Sequence, residues 1–95
     1  MSKALLKIFE GLIGSEWGNE IRTILAKNKS ENIHQSMNLI LLVSLNNVLG
    51  RRQKLNTDEY LKYMTFACGI YNNRNSLSVN DRVAEQLCSL IYKFK

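Results

Sequence analysis

SENIHQSMNLILLVSLNNVLG, residues 30–50, decides how the rest of the chain must be arranged. Within it Leu39, Ile40, Leu41, Leu42, Val43 and Leu45 place apolar side chains at every angle of a helix, which leaves no face for water. A run of five apolar residues also suits a buried strand. Length and setting favour a helix, because Ile33, Met37, Ile40, Leu41, Ser44, Leu45, Val48 and Leu49 keep a three-and-four spacing well past strand length. Ser30 reads as an N-cap, Glu31 suits the positive end of the helix dipole, and Gly50 followed by Arg51 and Arg52 reads as a stop. A membrane span needs about 20 mostly apolar residues, whereas Asn38, Ser44, Asn46 and Asn47 interrupt this run. A helix apolar on all sides needs neighbours, so the expected fold is an all-α, compact bundle of four to five helices around a central buried helix at 30–50.

The flanking segments supply those neighbours. Residues 2–13 set Leu5, Ile8, Phe9, Leu12 and Ile13 on one side and Lys3, Lys7 and Glu10 on the other, with closure at Gly11 to Gly14. A second helix starts at Ser15 and aligns Trp17, Ile21, Ile24 and Leu25, with Gly18 weakening its first turn. After the central helix come Leu55, Asn56 and Glu59, the pattern of a capping box preceded by an apolar residue. The helix behind it carries two stripes, Leu61, Met64, Cys68 and Tyr71, then Tyr63, Phe66 and Ile70, before an Asn-rich turn at 72–76. Leu77, Ser78 and Asp81 repeat the start signature. Val79, Val83, Leu87, Leu90, Ile91 and Phe94 then form a single clean stripe.

A chain of 95 residues, 45% hydrophobic and 22% charged, makes one globular domain, 1–95, with room for a single modest core. There is no proline, in keeping with helices joined by short polar turns. Cys68 and Cys88 are far apart in the sequence, fit no metal-ligand spacing and fall on apolar faces, so each reads as a reduced core thiol. With no signal peptide and no span, the expected location is the cytoplasm.

Catalytic chemistry has few candidates. His34 is the only histidine and has no nucleophile at a motif spacing; Asp58 and Glu59 point in different directions on a helix. Dispersed carboxylates and two distant cysteines supply no metal site, and the glycines at 11, 14 and 18 form no phosphate loop. The expectation is a protein with no enzymatic activity and no cofactor.

Two binding surfaces are expected instead. The formal charge is +5, and Arg51, Arg52 and Lys54 form the densest positive cluster, to which Arg74, Lys93 or Lys95 would add if the bundle gathers them. Arg51, Arg52, Lys54 and Arg74 are the candidate anion or nucleic-acid contacts, with Tyr71 or Tyr92 to stack on bases. Against that, most cations fall at helix C-termini and most anions in first turns, where the dipoles alone account for them. The other surface is apolar. Phe9, Trp17, Tyr63 and Phe66 are the candidate protein-interaction residues, on helices with more apolar surface than a small bundle buries.

The function expected is that of an intracellular interaction protein (an adaptor, inhibitor or immunity-type modulator) that presents a helical surface to a protein partner or to a second copy of itself. The alternative is a nucleic-acid-binding accessory that uses the basic turn 51–54. In size, charge and helix count alone, the chain is similar to phage- or plasmid-encoded modulators and to the immunity proteins of some bacteriocins.

Overall fold

The computed structural model describes residues 3–12, 14–27 and 37–95. They form five helices in the order α1 (Lys3–Glu10), α2 (Glu16–Lys27), α3 (Met37–Leu49), α4 (Thr57–Asn72) and α5 (Asp81–Tyr92), with no strand among the described residues. The fold is therefore an all-α small bundle, with a Cα radius of gyration of 12.5 Å. Ser30, Glu31, Ile33, His34 and Ile13, and the Leu5 side chain, lie outside the described residues.

Local chemistry sets the helix ends. Ser15 starts α2 by accepting the Gly18 N–H at 3.1 Å. A side chain at position 18 would crowd that hydroxyl at 3.0 Å and the Leu12 carbonyl at 3.3 Å. The glycine thus lets α2 turn tightly against the end of α1. Asn56 and Glu59 form the expected capping box. The Glu59 N–H donates to Asn56 Oδ1 at 2.9 Å, and the Asn56 N–H donates to Glu59 Oε1 at 3.1 Å.

The start of α5 differs from expectation. Its cap is Asn80, whose Oδ1 accepts the Arg82 N–H at 2.8 Å, and the helix begins at Asp81. Ser78 cannot cap, because it sits at φ 57° within a series of turns closed by Leu77 N–H to Asn73 O, Ser78 N–H to Asn75 O and Val79 N–H to Arg74 O. Those turns tuck Leu77 and Val79 into the core, so both serve burial rather than a helix face. Asn38 on α3 accepts the Asn80 N–H at 2.8 Å and ties the connection down.

The principal helix contacts are α4 with α5, α2 with α3, α3 with α5, and α1 with α4. α3 buries Ile40, Leu41, Ser44, Leu45, Val48 and Leu49 among them. It is not enclosed on every side, as the sequence suggests, because Leu39 is 50% and Val43 42% exposed. Its two main neighbours, α2 and α5, cover one broad side of the helix, and the edge carrying residues 39, 43, 46 and 47 stays open.

A second correction concerns the aromatic residues. Phe9, Trp17, Tyr63 and Phe66, expected as surface anchors for a partner, are all buried and pack on one another. Between ring centroids, Trp17 lies 4.7 Å from Phe66 and 6.0 Å from Tyr63. Phe9 meets Phe66 edge-on at 5.7 Å. Ser44 explains the polar break in the apolar run of α3: its Oγ accepts the Trp17 Nε1–H at 2.9 Å and donates to the Leu41 carbonyl at 3.0 Å. The large rings are the material joining α1, α2 and α4, and so they are unavailable to a partner.

Candidate functional site

The basic turn follows from the end of α3. Gly50, Arg51 and Arg52 close on the carbonyls of Asn46, Val48 and Leu49, which turns the two arginines back across the bundle. Arg52 Nη2 meets Glu16 Oε2 at 2.6 Å and its Nη1 meets Glu59 Oε2 at 2.6 Å, so one guanidinium joins the first turns of α2 and α4. Arg51 lies 3.7 Å from Glu16 and 3.5 Å from Glu20, whose other oxygen accepts Asn47 Nδ2–H. Of the turn's cations Arg51, Arg52 and Lys54, the two arginines are thus paired with the carboxylates of Glu16, Glu20 and Glu59. The cluster is close to neutral, and of these cations only Lys54 has no ion-pair partner among the described residues.

Electrostatics within the cluster follow the same pairing. Glu16, then Glu59, hold the Arg52 guanidinium further into its charged form. The Asn56 N–H, followed by Arg52, keeps the Glu59 carboxyl below its ordinary 4.5 against an opposing effect of desolvation. A carboxyl depressed in the folded chain contributes stability in full above 4.5 and loses it as the pH falls through its folded value. Glu59→Gln should therefore flatten the dependence of the thermal midpoint on pH below 4.5, measured by circular dichroism. An equally steep acid limb in the variant would remove Glu59 from this role.

Tyr63 reaches the edge of the same network. Burial, and then the neighbouring Glu16 charge, push its phenol well above the ordinary range, and its hydroxyl lies near Glu16 without hydrogen-bonding geometry.

Arg74 belongs to the other end of the molecule. It sits beyond the C-terminus of α4, a helix of 16 residues. At the usual rise per residue that helix puts roughly 24 Å between Arg74 and the basic turn. Arg74 Nε meets Asp81 Oδ1 at 2.6 Å, and its Nη1 donates to the Tyr71 carbonyl at 2.7 Å. Its guanidinium stacks 4.2 Å from the Tyr71 ring centre. Lys95 does come near Lys54. Both border a recess at the start of α4 with Tyr60, and the Lys95 ammonium lies 5.9 Å from the Tyr60 ring and 5.7 Å from the Tyr92 ring.

The apolar surface lies elsewhere, along α4 and α5. These helices run antiparallel in a simple register: Tyr71 beside Glu85, Cys68 beside Cys88, Met64 beside Tyr92, and Tyr60 beside Lys95. Of the two stripes on α4, Tyr63, Phe66 and Ile70 are buried, with Phe9 of α1 against Phe66. The other, Leu61, Met64, Cys68 and Tyr71, is left partly or fully open. Leu61 is 56% exposed and Tyr92, from α5, is 62% exposed. Between the helices lies a shallow groove of about 510 Å³ near Tyr71 and Glu85, followed by one of about 410 Å³ near Met64 and Tyr92, with Cys88 and Ser89 common to both.

The stripe was visible in the sequence as one of two. The α5 wall was not, because Cys88 and Tyr92 acquire meaning only once the helices are in register. Both cysteines are free, as expected, and the half-buried Cys88 packs against the core, but Cys68 is exposed and is not a core thiol. Among the described residues no group of three or more His, Cys, Asp or Glu is placed to hold a metal ion, and no helix is long and apolar enough to cross a membrane. No protein-family model, curated protein or solved structure matches the chain.

Proposed function

We propose that the chain is a non-catalytic interaction protein that receives an apolar helix of a partner protein in the α4–α5 groove. The observation that carries this reading is the stripe Leu61, Met64, Cys68 and Tyr71, apolar at helical spacing, with Leu61 and Cys68 exposed, Met64 and Tyr71 half-buried, and Tyr92 at its border. Two antiparallel helices with an apolar seam offer the incoming side chains of a third helix a natural groove. The rim is polar, with Glu85, Ser89 and Lys93 along α5, as expected where a dry centre is sealed from water. An immunity-type, inhibitory or adaptor role fits such a mode equally well, and the intracellular setting belongs to the same proposal.

The nucleic-acid alternative has less support, because Arg51 and Arg52 are paired with Glu16, Glu20 and Glu59, and a phosphate would have to displace those carboxylates. Photocrosslinking groups placed at Leu61 and, as a control, at the exposed Arg22 of α2 separate the readings in cells that make the protein. The expected result is a discrete protein adduct from position 61 only. Binding of that purified partner should be nearly insensitive to salt and weakened about tenfold or more by Leu61→Glu, roughly the loss of one well-buried anchor. The thermal midpoint of the variant should stay put, since Leu61 is a surface residue. Equal adducts from both positions, or an association that nuclease abolishes and salt weakens steeply, would overturn the proposal.

A further inference from the structure

We infer that Cys68 and Cys88 form a redox-active pair, a modification site that closes to an intramolecular disulfide across the α4–α5 groove when it meets a low-molecular-weight disulfide. The inference stands on placement and does not depend on what the groove binds. The antiparallel register that puts Tyr71 beside Glu85 and Met64 beside Tyr92 puts the two thiols at one level, on facing helices, bordering one groove. Both are free. Their surroundings differ: Cys68 is open to solvent, whereas Cys88 is half-buried, its thiol pushed up by burial and next by the adjacent Cys68 thiol. That difference divides the work. Cys68 meets the oxidant first, and Cys88, less exposed but next to Cys68, resolves the intermediate.

With glutathione disulfide as oxidant the electrons and protons balance. The Cys68 thiolate attacks one sulfur, the glutathione S–S bond breaks, and one glutathione leaves as thiolate while Cys68 carries the other as a mixed disulfide. Cys88, deprotonated by solvent, attacks Cys68 Sγ and releases the second glutathione. Two protein thiols are oxidised, one glutathione disulfide is reduced to two thiols, and the two protons lost by the cysteines end on them. The product ties the last third of α4 to the second half of α5. A two-thiol site without a third ligand among the described residues suits this chemistry better than metal binding.

The test uses the native full chain and its Cys68→Ser and Cys88→Ser variants in glutathione redox buffer, quenched with acid, and read by intact mass, peptide mapping and size. The wild type should remain a single chain, lose two hydrogens in mass, yield a linked Cys68–Cys88 peptide and revert with dithiothreitol. Cys88→Ser should stop at a glutathione adduct on Cys68. The effective concentration of the pair, relative to glutathione, should be about tenfold or more above that of the same chain unfolded in urea, because folding holds the thiols together. A wild type that accumulates glutathione adducts without the linked peptide, or that links chain to chain, would overturn the inference. So would an effective concentration no higher folded than unfolded.

Discussion

Trp17→Ala should lower the unfolding free energy by about 3–5 kcal/mol, the range for deleting a large buried aromatic side chain. That is a large part of the roughly 5–15 kcal/mol typical of a whole domain, and urea denaturation followed by circular dichroism would read it directly. The expectation comes from what the ring touches. Trp17 is fully buried, packs at a tilt against Phe66 and Tyr63, and donates its only polar hydrogen to Ser44. Removing it opens a cavity where α2, α3 and α4 meet, and that cavity lies between helices distant in sequence, so no local backbone shift can fill it.

Ser44→Ala tests the polar half of the same contact. It leaves a buried indole N–H without an acceptor and should cost about 1–3 kcal/mol. In a Trp17→Ala background the same change should cost much less, since the donor is already gone. Additive losses would mean that the two residues do not act on each other.

Leu41→Ala should cost about 2–5 kcal/mol, while Leu39→Ala, two residues earlier on the same helix, should change stability by less than about 0.5 kcal/mol. The side chains are identical and the helix propensities equal. Leu41 is fully buried, whereas Leu39 is half exposed on the open edge of α3. Denaturant titrations of the two variants measure the contrast. Comparable losses at both positions would mean that α3 is enclosed on all sides, as its sequence alone suggests.

Helices and several of their ends were legible in the sequence. Asn56 and Glu59 spelled out the capping box, because all its partners lie within one helical turn. Leu77, Ser78 and Asp81 show the same spacing, yet Asn80 does the capping. There the burial of Leu77 and Val79 bends the backbone at Ser78 out of the geometry a cap needs. Arg51 and Arg52 were legible as a positive cluster, while their neutralisation was not, since Glu16 lies 36 residues from Arg52 along the chain.

Periodic spacing is a property of one helix, so the order of residues was enough to say which segments become helical and that α4 carries two apolar stripes rather than one. Which stripe α1 covers, that Phe9, Trp17, Tyr63 and Phe66 go inward, and that Cys68 meets Cys88 depended on packing in three dimensions. The physical reason is that water penalises every exposed apolar face alike, whereas the choice of which face finds cover rests on how helices distant in sequence fit together.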